Sequence, residues 1–336
     1  MKKPWTDKKP ENMDPQNPRP KKSLGQNFLK SDKALRDIRD AADPSADDII
    51  LEIGPGLGAL TETLLPFPAK IIAIEKDDTL SLILEEKFRD EIRVGKLEIL
   101  NRDILEFDPE VLRTYETSVI PDLIRDPGLV YKKNNKQSNV VIPLDSGSEA
   151  GMTPAVSTGN ISRYKIVANI PYNITGAIIR KFLECSYQPQ MMVLLIQKEV
   201  AERICSRGEK TGKESLLSIC VKAYGNPSYV ATVKAGSFHP VPRVDSAVLK
   251  IDNISKDRFT NIEHEDLFFT LVKLGFAHPR KILISNLSES FERETLLQIF
   301  TQLHIPEKSR SEDLSIEHWS NLVQLVYNDV YGSAAK

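Results

Sequence analysis

The run Glu52-Ile-Gly-Pro-Gly-Leu-Gly58, set on the apolar pentad Ile49-Ile50-Leu51-Glu52-Ile53, constrains this chain more than any other segment. An apolar run without polar alternation reads as a strand buried on both faces, the habit of a parallel sheet. A parallel strand needs a crossover connection, and the glycines let the chain turn at once into a helix. The same rhythm recurs. Apolar strands are predicted at Ile71–Ile74, Leu97–Leu100, Lys165–Ala168 and Met191–Ile196, with helical patterns at Thr79–Phe88 and Thr175–Leu183. Two later β-rich runs, Tyr229–Val233 and Ser246–Ile251, complete a mostly parallel, doubly wound sheet with helices on both faces. The fold class is therefore α/β. After about residue 252 helical periodicity takes over, at His264–Leu274, Leu283–Phe291, Glu294–Leu303 and His318–Val326. Residues 252–336 read as a small all-helical C-terminal domain behind a sheet domain at 21–251.

Two segments fall outside this rhythm. Residues 1–20 are rich in Pro, Lys, Asp and Asn, bury almost nothing, and read as a disordered basic tail. Over residues 1–30 eight Lys and Arg face three acids, for a net +5, which suits either plain solubility or an arm that finds phosphate. The second segment, 116–160, is rich in Asn, Ser, Gly, Pro and Lys and reads as an inserted exposed loop, since long structureless loops are uncommon inside compact domains. Val119-Ile120-Pro121 and Gly151-Met152-Thr153 can be encoded by reverse-complementary stretches, the trace a palindromic element captured in frame would leave. An ordinary variable loop is the alternative, and the gene's nucleotide sequence distinguishes the two.

Composition removes several classes. The formal charge is −2, from 45 basic and 47 acidic residues, so bulk charge does not hold a polyanion. The 252–336 region alone carries −4. The longest strongly apolar run, Met191 to Ile196, is six residues, against about 20 for a membrane-spanning helix. Cys185, Cys205 and Cys220 are odd in number and form no C-x-x-C pair, and the five histidines are scattered, so neither a disulfide framework nor a metal site is expected. A reducing cytoplasm fits.

The glycine run carries chemistry only in context. Its G-x-G-x-G spacing is not that of dinucleotide binders, and a bare turn using glycine for positive φ is the plain alternative. Glu75, however, ends the next strand 21 residues after Gly54, where an acid can accept from both ribose hydroxyls. Asp103 follows the third strand, where a carboxylate can take an adenine amino group. Successive strand ends thus outline a nucleoside pocket without a pyrophosphate site, which suits S-adenosyl-L-methionine better than NAD.

Asn169-Ile170-Pro171-Tyr172 ends the fourth strand and sets the reaction. Asn169, beside the cofactor's reactive end, offers a carbonyl acceptor. Pro171 leaves neighbouring carbonyls without a competing amide donor, and Tyr172 offers a flat face for a base. That set suits an exocyclic amine on a planar ring. Hydrogen bonds from its protons favour a pyramidal nitrogen whose lone pair can point at a sulfonium methyl. Catalysis would be mainly positioning and electrostatics, with no strong general base. An Asn-Pro turn with a rim tyrosine is the alternative.

With these residues in view, the chain closely resembles the KsgA/RsmA family of ribosomal RNA adenine dimethyltransferases. The resemblance rests on residues 20–29, Glu52–Thr61, Ile74-Glu75, Asp103, Asn169–Ile174, Gln197–Ala201, Phe238–Ala247 and Phe276–Leu283. It implies a Rossmann-like S-adenosyl-L-methionine-dependent methyltransferase sheet with a helical C-terminal domain. It further implies that Asn27 and Leu29 contact the cofactor, Gly54 abuts it, Glu75 holds its ribose and Asp103 its adenine. Asn169 would hold the target amine, with Tyr172 and Phe238 sandwiching the base. Taken alone, Phe238 reads more readily as core. The family's usual Tyr-Gly-x-Leu-Ser stands here as Glu214–Ser218, and its Arg-Arg-Lys as Pro279-Arg280-Lys281, departures that bear on RNA contacts. Basic contacts are expected around Lys21, Lys22, Arg280 and Lys281.

The implied activity is dimethylation of two adjacent adenosines near the 3′ end of small-subunit (16S) ribosomal RNA. The implied partner is an immature 30S-type particle, met by a cytoplasmic monomer without metal or membrane. The alternatives are the antibiotic-resistance type that modifies large-subunit RNA, and a non-catalytic ribosome assembly factor.

Overall fold

The computed structural model describes residues 20–21, 24–116, 129–131, 141–143, 164–205 and 213–332. The predicted tail at 1–20 and most of the predicted insert at 116–160, both members of the reverse-complement pair included, lie outside the described residues. The chain groups into two units, one of residues 1–109 with 163–336 and one of Glu110–Ser162.

The first unit opens with β1 (Phe28–Leu29), α1 (Asp32–Ala42), β2 (Ile49–Ile53), α2 (Ala59–Leu64), β3 (Lys70–Glu75), α3 (Asp78–Lys87), α4 (Arg89–Arg93) and β4 (Leu97–Asn101). The second unit contains α5 (Arg113–Glu116) and an antiparallel hairpin of β5 (Leu129–Tyr131) and β6 (Val141–Pro143). The first unit resumes with β7 (Lys165–Asn169), α6 (Thr175–Glu184), β8 (Met191–Gln197), α7 (Lys198–Ile204), α8 (Leu216–Tyr224), β9 (Asn226–Val233), β10 (Phe238–His239) and β11 (Ser246–Asp252). Four helices follow: α9 (Ile262–Phe276), α10 (Leu283–Leu287), α11 (Arg293–Gln302) and α12 (Ile316–Gly332).

Seven strands form one sheet in the order β4-β3-β2-β7-β8-β11-β9. The first five of that order pair in parallel, and β11 runs antiparallel to both β8 and β9. The predicted strands all form, and β2 is buried along its whole length, as its unbroken apolar run requires. From β2 the chain winds outward through β3 and β4, then returns to the other side of β2 as β7. The order therefore reverses between β2 and β7, and ligands of open α/β sheets sit outside the carboxyl ends at such a switch.

Local chemistry sets the helix ends. Ser31 accepts from the Ala34 N–H to start α1, and Asp77 does the same for α3 through Thr79. Gly58 precedes α2 at φ +81°, and a Cβ there would stand 2.6 Å from the Phe88 ring, so only glycine fits. Glu214–Ser218, one of the departures from the family pattern, has a structural use: Ser215 and Ser218 form a capping box on α8, and Glu214 pairs with Lys222. Helix α10 ends at Leu287, short of the predicted Phe291. Ser288 Oγ donates to the Ile284 carbonyl, and the Ser290 and Phe291 amides both turn back to Leu287.

The C-terminal helices bury Phe268, Leu271, Phe300 and Trp319 among themselves. The Tyr224 hydroxyl on α8 donates to Glu265 on α9 at 2.5 Å, joining sheet region to helices. No helix among the described residues is long and apolar enough to cross a membrane.

Candidate active site

The carboxyl ends of β2, β3, β4 and β7 open into one cavity of about 390 Å³. Its wall includes Asn27, Leu29, Gly54, Glu75, Asp103, Asn169 and Tyr172, seven of the eight residues singled out from sequence. Parallel pairing brings them together. Ile53 lies beside Ile74 and Ala168, so the turns after β2, β3 and β7 emerge at one level.

Gly54 takes φ +67° and donates its N–H to the Ile74 carbonyl at 2.9 Å. A side chain at Gly54 would meet only the Asn169 carbonyl, at 3.9 Å, so the glycine keeps space open between the two strand ends that flank the switch. Glu75 is buried and already ordered: Gly56 N–H donates to Oε2 at 3.1 Å and Asp77 N–H to Oε1 at 2.9 Å. Burial raises its pKa, and the two backbone donors offset part of that. Each oxygen keeps further acceptor capacity, as the two hydroxyls of a ribose require. Asp103 is partly open to solvent. Lys76 donates to its Oδ2 at 2.5 Å and the Leu105 N–H to Oδ1 at 2.9 Å, which holds it ionised below the usual carboxylate range.

Asn169 Nδ2 donates to the Asn27 carbonyl at 3.1 Å. Because oxygen and nitrogen lie on opposite arms of an amide, this turns Oδ1 away from Asn27 and assigns it the acceptor role. The Tyr172 hydroxyl shares a 2.6 Å hydrogen bond with Ser246 Oγ, which fixes the ring's edge. Burial raises the Tyr172 pKa against the pull of that bond, so the phenol stays neutral. Phe238 is the exception. It is 3% exposed and packs in the core beside Leu29 and Val233, while its neighbour His239 lines the cavity. Successive residues of a strand face opposite sides, and in β10 the aromatic ring takes the inner one. Phe238 is not part of the wall of this cavity.

Two acids of the site went without a role in the sequence reading. Glu52 lines the cavity, is 1% exposed, and accepts from the Thr61 hydroxyl at 2.7 Å. Burial pushes its pKa up to about 8. The signal was present: an acid inside an otherwise apolar strand. Asp77 lies behind Glu75 and binds side chains from the N-terminal segment, a contact between residues about 50 apart that no local pattern announces. Among the described residues no group of three or more His, Cys, Asp or Glu is placed to hold a metal ion.

The profile of the family described as ribosomal RNA adenine dimethylase matches residues 17–328. The chain belongs to this family. As a ribosomal RNA adenine dimethylase it is a methyltransferase, and its relatives are similar over nearly their whole length. A protein named Ribosomal RNA small subunit methyltransferase A from Dehalococcoides mccartyi is 35% identical over 304 residues, spanning 90% of this chain and 87% of the relative. One of the same name from Nostoc sp. is 36% identical over 317 residues, spanning 92% and 98%. Among solved structures, a dimethyladenosine transferase from Plasmodium falciparum matches with a TM-score of 0.63 at 23% identity, over 90% of this chain and 98% of that one. The 23S rRNA methyltransferase ErmE matches with 0.62 at 21%, over 89% and 98%. At such identities the structural likeness speaks for the dimethylase fold alone.

Proposed function

We propose that this dimethylase transfers methyl groups from S-adenosyl-L-methionine to the exocyclic amines of two adjacent adenosines near the 3′ end of small-subunit ribosomal RNA, in a cytoplasmic, immature small subunit. The observation that carries the reading is Asn169, whose amide is pinned on Asn27 so that Oδ1 is the group left to hold an amine. Names of curated relatives at about 35% identity support the small subunit over the large.

The wall fits the cofactor. Glu75 is an ordered, buried acceptor pair for ribose, Asp103 an ionised acceptor for an adenine amine, and Gly54 leaves room between them and Asn169. Bound there, S-adenosyl-L-methionine supplies an electrophilic methyl group. The chain's own part is placement. Asn169 Oδ1 accepts one amine proton, and a carbonyl of the Asn169–Pro171 turn accepts the other, Pro171 having no N–H to compete. Tyr172, its edge held by Ser246, offers a ring face to an unstacked base. Phe238 would back this wall from inside the core. The nitrogen becomes acidic once alkylated, so no strong base is needed.

We place a domain boundary near residue 251, supported by the change from sheet to helices after β11, and read the protein as a monomer. The test is mass spectrometry of ribosomal RNA from cells with and without the gene. Two dimethyladenosines lost from the small subunit are expected. A change confined to large-subunit RNA, or none, would overturn the proposal.

A further inference from the structure

Part of the cavity wall belongs to no strand of the main sheet. Residues 24–30 line it from Leu24 to Lys30, crossing the ends of β2 and β7. They lie close against both. A Cβ on Gly25 would stand 3.2 Å from Asn173 Oδ1, and a Cβ on Gly56 would stand 3.1 Å from the Phe28 ring. The Asn27 carbonyl receives Asn169, and Phe28–Leu29 pairs with the two-residue β10. Leu29 is buried in the core and the Lys30 N–H donates to the Ser237 carbonyl at 2.8 Å, so the C-terminal half of the segment is anchored. Its N-terminal half is held by one side-chain cluster.

That cluster is centred on Asp77. Its side chain is 2% exposed. Lys21 Nζ donates to Oδ1 at 2.6 Å and Gln26 Nε2 to Oδ2 at 3.0 Å, while the Lys21 N–H donates to Gln26 Oε1 at 2.7 Å and closes a ring. Capping α3 needs only the 3.1 Å bond from Thr79 N–H, so the two bonds from the N-terminal segment go beyond the helix's requirement. On its other side the Asp77 N–H donates to Glu75 Oε1, the acid assigned to the ribose.

We propose that Asp77 is a positioning residue that clasps segment 24–30 over the cavity, and that its bonds to Lys21 and Gln26 set the rate at which an S-adenosyl ligand leaves. This rests on the reading that S-adenosyl-L-methionine occupies the cavity. A ligand enclosed by the segment leaves when the segment lifts, and lifting it breaks both bonds. Each nitrogen dimethylated requires two such ligands in turn, so the clasp governs exchange between transfers.

The test uses the full chain. Dissociation of labelled S-adenosyl-L-methionine and S-adenosylhomocysteine is timed without RNA, and hydrogen exchange is followed across residues 24–30. Lys21→Met and Gln26→Ala are expected to speed dissociation about fivefold and to raise amide exchange in that segment, while exchange in the strands of the main sheet stays as in the wild type. Asp77→Asn, which still caps α3, should do more, about tenfold. In turnover, KM for the cofactor should rise in step with the dissociation rate, and Lys21→Arg should restore the wild-type dissociation rate. Wild-type dissociation and exchange in both Lys21→Met and Gln26→Ala would overturn the clasp. Failure of the wild type to bind either ligand would instead sink the assignment of the cavity.

Discussion

Burial holds the Glu52 carboxyl at a pKa of about 8, against an ordinary 4.5, because its charged form has lost water and faces the Glu75 carboxylate, which hydrogen bonds from Thr61 offset only in part. Between those values the folded protein keeps a proton that the unfolded chain has released. This group's contribution to stability is therefore full below about 4.5 and lost as pH rises through about 8. Glu52→Gln keeps the shape without the titration. Its melting temperature should match the wild type near pH 5 and exceed it by about 5 °C near pH 9; a difference independent of pH would refute the account. Asn169 makes the opposite case, a neutral side chain whose value lies in aim. Asn169→Ala should cut methyl transfer to immature small subunits by about 100-fold or more while calorimetry shows cofactor affinity within about threefold of wild type. Unchanged turnover would remove the residue from the mechanism.

Among the elements, α1 shows how a helix can be tied to the sheet at the end remote from the site. It terminates at Asp43 in the left-handed region, φ 44°. Lys165, the first residue of β7, reaches back to take the Ala42 and Asp43 carbonyls at 3.1 and 2.7 Å and the Asp48 carboxylate at 2.8 Å. Asp48 is further held by Ser45 and Gln190. The cluster is buried, so its ions stay paired or the fold suffers. Lys165→Met should lower unfolding free energy by about 3 kcal/mol in urea titrations. A loss below about 1 kcal/mol would show that packing alone fixes the helix. The strand periods of these elements were legible locally, since apolar runs such as Ile49–Ile53 state their own burial. The end of α10 was less so, because Ser288 and Ser290 compete with the helix through bonds to Ile284 and Leu287 that depend on the turn they create.

For the whole molecule, every strand pairing of the main sheet is made by residues up to 101 and from 165 onward. Among the described residues of the Glu110–Ser162 unit, β5 pairs with β6. Replacing residues 117–162 with a linker of about eight Gly and Ser residues should therefore leave the melting temperature within about 3 °C of wild type, shorter closure helping slightly. Methyl transfer by the shortened chain then reports whether the insert bears on substrate access. A large loss of stability would show that the insert belongs to the fold of the sheet.

The glycine run on a buried strand, followed by Glu75 and Asp103 at successive strand ends, determined the sheet and the edge at which the cavity opens with those acids in its wall. These depend on spacing along the chain, because parallel pairing maps each strand end onto the same level. Only tertiary structure decided the rest. The Asn169 amide is aimed by a carbonyl 142 residues earlier, and Asp77 is bound by Lys21 and Gln26 across gaps of 56 and 51 residues. Phe238, an aromatic at a matching motif position, proved to face the core because β10 pairs with β1 in one register and not its neighbour. Contacts of this kind are set by which side of an element meets which partner, and a one-residue step along a strand reverses the answer.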